Sequence, residues 1–196
     1  MKQIFFITTT LIFLGCSVVD KLNNQIDQNQ KKSLKNSPFE TAKGMTDELR
    51  IQKKFRTQYE NELQSLLKAH PNDTIILKES YDFICLGCPA NHVAIYVDTM
   101  IVEFQKDIFQ KKYNKNIKYL SPELKDPSGY YHYSILEIKS EIKKGNKWNK
   151  NPENYGTDKC FDGGHTFFTI IYPSGKMESM YMRCWIPKEE RYKIKE

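Results

Sequence analysis

The stretch that decides the fold is His165-Thr166-Phe167-Phe168-Thr169-Ile170-Ile171-Tyr172-Pro173-Ser174-Gly175-Lys176-Met177-Glu178-Ser179-Met180-Tyr181-Met182-Arg183-Cys184-Trp185. Two runs, rich in β-branched, aromatic and Met side chains, flank Pro173-Ser174-Gly175, where Pro presets a turn and Gly tolerates a positive φ. The pattern predicts a β-hairpin. Outward from it, His92 to Val97 and Met100 to Phe104 predict a second hairpin across Asp98-Thr99. Its apolar runs predict a largely buried sheet, although Asp-Thr is a poor two-residue turn. Asp73-Thr74-Ile75-Ile76-Leu77 and Tyr81-Asp82-Phe83-Ile84 read as further strand material.

Between and before the strands the hydrophobic period changes. From Thr46, Leu49 or Ile51, then Phe55, Tyr59, Leu63 and Leu66 recur at three- and four-residue steps, which predicts one amphipathic helix ending near His70-Pro71. Tyr131, Ser134-Ile135, Ile138 and Ile142 predict a second helix, stopped at Gly145. Residues 105–129 are polar and broken by Pro122, Pro127 and Gly129, and residues 146–163 read as a long loop. The order α-β-β-β-α-β-β predicts an α+β domain over residues 45–196. It is an antiparallel sheet built from hairpins with two covering helices, braced by disulfides.

The N-terminus has a different character. Lys2 precedes the apolar runs Ile4-Phe5-Phe6-Ile7 and Leu11-Ile12-Phe13-Leu14, and Gly15-Cys16 closes them. Charge, then a short hydrophobic run, then small residues is the layout of a secretory signal peptide over residues 1–15. The close Phe13-Leu14-Gly15-Cys16 resembles the lipobox of bacterial lipoproteins, with Phe13 where that motif usually has Leu. The resemblance implies that Cys16 is lipidated, that the chain is cut before it, and that acyl chains hold it on a membrane. Ser17 after the cysteine, with no aspartate there, implies the outer membrane, facing the periplasm or the surface. Residues 16–44 read as the lipidated N-terminus and a flexible polar tether. Asn23-Asn24-Gln25, Gln28-Asn29-Gln30-Lys31-Lys32 and Lys35-Asn36-Ser37-Pro38 have almost no apolar spacing.

The net charge of +6 is spread over lysine pairs with acidic residues interleaved, which reads as solvated faces rather than a nucleic-acid groove. Besides Cys16 there are four cysteines, Cys85, Cys88, Cys160 and Cys184. An even number in an exported chain reads as two disulfides with three connectivities open, and long-range bridges are favoured because they close the larger loops.

Cys85-Leu86-Gly87-Cys88 is a CxxC, open to a redox or a zinc reading, but Pro89-Ala90-Asn91 leads at once into a strand with no helix to lower a thiol pKa. Cys160-Phe161-Asp162-Gly163-Gly164-His165 could supply a thiol, an orienting carboxylate and a base, yet it equally describes a tight loop into a strand. Trp148, Tyr155, His165, Tyr181 and Trp185 are candidates for a binding face, against the plainer reading that each ring fills the core.

No phosphate loop, catalytic serine signature or HExxH is present, so no cofactor, metal or catalytic residue is expected. The resulting expectation is a non-enzymatic binding module, anchored to the membrane by lipid, with a protein or small-ligand partner and an inhibitor- or immunity-like role. The alternative is an envelope thiol-redox or metal enzyme built on Cys85, Cys88, Cys160 and His165.

Overall fold

A computed structural model describes residues 21–81, 91–106, 112–119, 138–140, 142, 152–159 and 165–184. The described elements are α1 (residues 21–35), a 3-10 helix (Glu40–Met45), α2 (Thr46–Arg56), α3 (Glu60–Ala69) and six strands. The strands are β1 (Ile75–Tyr81), β2 (Asn91–Val97), β3 (Met100–Lys106), β4 (Asn114–Tyr119), β5 (His165–Ile171) and β6 (Met177–Arg183). They form one antiparallel sheet in the order β4-β3-β2-β1-β5-β6. The first four strands run as a meander, and β5 returns to the open side of β1. The chain is therefore α+β, as the hairpins imply.

Both predicted hairpins are present. Val97 pairs with Met100 across Asp98-Thr99, and Asp98 takes a positive φ of 47°, a conformation that Asp tolerates better than most residues. Ile171 pairs with Met177, and Gly175 supplies a φ of 77° in the turn between them.

The register puts Ile75, Leu77 and Glu79 on one face with Val93, Ile95, Val102, Phe104 and Ile171. Ile26 of α1 and Tyr59, Leu63 and Leu66 of the α3 segment join that cluster. Ile76, Ala94, Tyr96, Ile101, Phe168, Ile170 and Met180 point the other way and form a second cluster with Ile138. Antiparallel sheets commonly leave one face wet. Here both faces of the central strands are buried, which is why β2 lacks a clean alternation.

Four segments differ from the sequence expectation. The single helix from Thr46 is broken at residues 57–59, where Gln58 and Tyr59 donate to the carbonyls of Phe55 and Arg56 in a tightened turn. The break serves two clusters: Met45 and Leu49 pack with Phe167 and Tyr181, whereas Tyr59, Leu63 and Leu66 pack with Leu77 and Ile95. β1 runs without interruption through Lys78 and Glu79, which are 2% and 0% exposed. The sequence reading placed strand material at 73–77 and at Tyr81-Asp82-Phe83-Ile84, and residues 82–84 of the second piece lie outside the described residues. β4 lies in the polar stretch 105–129, with all six side chains exposed. Of the helix expected around residues 131–142, the described residues 138–140 and 142 are helical, and Ile138 is buried.

The fourth difference is the largest. The polar stretch expected as a tether contains α1. Asn23, Ile26, Asp27, Gln30 and Leu34 recur at helical spacing and are buried. Two polar members of that stripe, Asn23 and Gln30, meet a buried ion pair. The Arg56 guanidinium donates to both carboxylate oxygens of Glu79, through Nε and Nη2 at 3.0 Å each. It also donates to Asn23 Oδ1 at 2.7 Å and Gln30 Oε1 at 2.8 Å. Glu79 accepts further bonds from Gln30 Nε2 and the Tyr59 hydroxyl. Buried charges are tolerated when fully bonded. Asparagine and glutamine are therefore what this helix face requires.

A candidate binding site along the β6 edge

Of the residues expected to carry the site, Cys16, Cys85, Cys88, Trp148, Cys160 and Trp185 lie outside the described residues. The structure brings the remaining four, Tyr155, His165, Tyr181 and Cys184, to the β5–β6 end of the sheet. Tyr155 and Tyr181 are each 1% exposed and belong to the core, so neither presents an adhesive ring to solvent. Cys184 directly follows β6 with a φ of 46°, and it is disulfide-bonded. It is therefore no free nucleophile.

His165 and Tyr181 are in contact. Both point to the Glu79 side of the sheet from adjacent strands, with rings stacked at 5.9 Å between centroids. His165 Nδ1 lies 2.6 Å from Tyr181 Oη, which lies 3.1 Å from Thr41 Oγ1. Thr41 Oγ1 donates to Asp158 Oδ1 at 2.5 Å. Thr41 gives its hydroxyl proton to the carboxylate, and the Tyr181 hydroxyl sits between Thr41 and His165 Nδ1 within hydrogen-bond distance of both.

Burial pushes the Tyr181 phenol up to about 12, against the opposing pull of Thr41 and Arg183, so it stays neutral at ordinary pH. Burial also raises Asp158, but the hydroxyl and backbone amide of Thr41, the amide of Glu40, and Arg183 outweigh it. The carboxyl stays below its usual range. Asp158 thereby ties the segment 152–159 to the start of the 3-10 helix, and Arg183 Nη1 sits 3.6 Å away.

Beside this chain, a groove of about 260 Å³ separates β6 from α1. One wall is the edge of the sheet from Lys176 to Tyr181. The other is Asn29, Lys32, Ser33 and Asn36, with Ser37 and Pro152 at one end. Sequence reasoning found Tyr181 and missed the helical wall. The available signal was Leu22, Ile26 and Leu34 with Gln30 filling the vacant slot, a four-residue stripe concealed by its polar member.

A second polar cluster occupies the opposite face. Glu103, 3% exposed, lies 3.6 Å from His92 Nε2 and 2.7 Å from Lys118 Nζ. Its contact with His92 holds its carboxyl down to about 2, against burial and with help from Lys118. Burial lowers Lys78 to about 7, partly offset by the charge of Glu103.

No family model matches the chain, and searches of curated proteins and of solved structures found nothing similar to it.

Proposed function

We propose that the protein is an envelope lipoprotein, held on the outer membrane through Cys16, that acts as a non-enzymatic binding module of the inhibitor or immunity kind. The observation that carries the reading is Phe13-Leu14-Gly15-Cys16 at the end of a short apolar run that follows a positive start. The disulfide at Cys184 fits an oxidising compartment. Long-range bridges joining Cys85 and Cys88 to Cys160 and Cys184 would brace the sheet, and helices on its faces would complete the domain.

α1 is described from residue 21 onward, so the segment from lipidated Cys16 to that residue would span at most about 18 Å. The domain would ride close to the bilayer rather than at the end of a long tether.

The test is metabolic labelling with palmitate together with membrane fractionation. Wild type is expected to carry label and to sediment with membranes, and Cys16→Ser to lose the label. Unlabelled wild type in the soluble fraction overturns the anchor. Thiol counting on the purified chain without reductant tests the rest, with no free thiol and no zinc expected. Free thiols at Cys85, Cys88 or Cys160, or bound zinc, would favour the envelope thiol-redox or metal enzyme that also uses His165.

A further inference from the structure

We propose that the groove between α1 and β6 takes an extended peptide segment of a partner protein. The segment adds to the sheet as a strand along β6 and sets an acidic side chain against Lys32. The inference rests on the binding-module reading and names its partner class; it does not depend on the lipid anchor.

Among the described residues β6 is the last strand of the sheet, and no described strand lies beside its outer backbone edge. Such an edge is a template for another strand unless it is blunted by a bulge, a proline or edge charges. The β5–β6 register runs unbroken from His165↔Arg183 to Ile171↔Met177, with neither bulge nor proline within β6. The opposite edge differs. β4 carries Lys115 and Lys118 among six exposed side chains, a common defence against strand addition.

The β6 edge instead faces a helix across a gap. Six consecutive residues, Lys176 to Tyr181, form one wall, a length of about 17–20 Å for a strand at roughly 3.3 Å per residue. Asn29, Lys32, Ser33 and Asn36 stand opposite at the i, i+3, i+4, i+7 spacing of one helix face. A groove between an edge strand and a helix is the geometry in which added peptides gain main-chain hydrogen bonds from the strand and side-chain selection from the helix. Its walls mix amides, hydroxyls and lysines with the apolar side chains of Met177, Met180 and Pro152, which suits a segment that presents both kinds of side chain.

The groove is bounded at one end. Thr157 donates its backbone N–H to the Cys184 carbonyl at 3.3 Å, so the edge beyond β6 is already occupied.

Charge selects the peptide. Glu178 is bound by Lys176 Nζ at 2.9 Å and by the Tyr172 hydroxyl at 3.1 Å. Lys32, by contrast, makes no ion pair among the described residues. The uncompensated charge of the groove is positive, and an acidic side chain complements it.

The probe is a phage-displayed library of random octapeptides, panned on the detergent-solubilised full chain. Enriched peptides are expected to alternate β-branched with acidic residues. As synthetic peptides they should shift backbone amide signals of Lys176 to Tyr181 and of the facing side of α1. Alternate N-methylation, which deletes strand hydrogen bonds, should weaken them at least tenfold. Ser33→Trp, which fills the groove, and Lys32→Glu, an exposed change that leaves the fold intact, should each do the same.

An empty selection overturns the proposal, as do binders indifferent to both N-methylation and Lys32→Glu. Peptides that bind wild type and both variants alike would sink the groove while leaving a binding module that uses another surface. Failure of the module reading itself would show separately, as free thiols or zinc in the purified chain.

Discussion

Replacing Gln30 with Leu asks whether the Asn/Gln-rich segment is part of the folded domain or a solvated tether. Gln30 is fully buried. Its Oε1 accepts from Arg56 Nη2 at 2.8 Å, and its Nε2 donates to the Glu79 carboxylate and, at 3.4 Å, to Thr169 Oγ1. Leucine fills nearly the same volume, so the cavity contribution is small. What changes is that one guanidinium N–H loses its acceptor and Glu79 Oε2 loses one of its donors, keeping the bond from Arg56 Nη2, in a fully buried site. Hydrogen bonds to charged groups contribute about 1.5–3 kcal/mol each, so Gln30→Leu should cost about 3–6 kcal/mol. At roughly 2–4 °C per kcal/mol for a chain of this size, the melting temperature should fall by about 6–24 °C. Urea unfolding followed by far-UV circular dichroism, with the slope compared between variants, measures it directly. A tether residue would cost under about 0.5 kcal/mol, as surface substitutions generally do. A loss below about 1 kcal/mol would therefore refute the network and return residues 21–35 to solvent.

Three further predictions concern the sheet. The folded Glu103 carboxyl is held to about 2, below its ordinary 4.5, so it contributes stability that is present above pH 4.5 and lost as pH falls toward 2. Glu103→Gln should flatten the acid limb of a stability–pH curve. Lys78 is lowered from 10.5 to about 7, so between those values the unfolded chain binds the extra proton and stability rises with pH. Lys78→Met should remove that rise and stabilise the protein at pH 6, where burying the charged amine costs most; an unchanged alkaline limb in urea melts would count against it. A Cβ at Gly156 would press on the backbone carbonyl oxygens of Arg183 and Cys184, atoms that cannot swing aside. Gly156→Ala should cost about 1–3 kcal/mol by overpacking and loosen residues 152–159 from the end of β6, read as faster amide exchange at Thr157.

The two hairpins were legible in the sequence because their signals are local. A turn residue able to take a positive φ sits between runs whose side chains need burial, and both hairpins fall where those signals lie. The α+β class follows from them. The candidate site was legible only in part. His165 and Tyr181 were marked as aromatic and titratable residues, but Tyr181 turned out to be a buried relay between Thr41 and His165 rather than an exposed anchor. Four of the missed or displaced features share one cause. Asn23, Gln30, Lys78 and Glu79 are polar, and pattern reading assigns polar residues to solvent. Burial of Glu79 becomes tolerable only once Arg56, 23 positions earlier, and Gln30, 49 positions earlier, have been brought against it. No window of neighbouring residues contains that compensation. The sequence alone determined where the chain turns and which runs seek an apolar environment. The tertiary structure decided which charges are inside, because a buried charge is permitted by its partners and those partners come from distant parts of the chain.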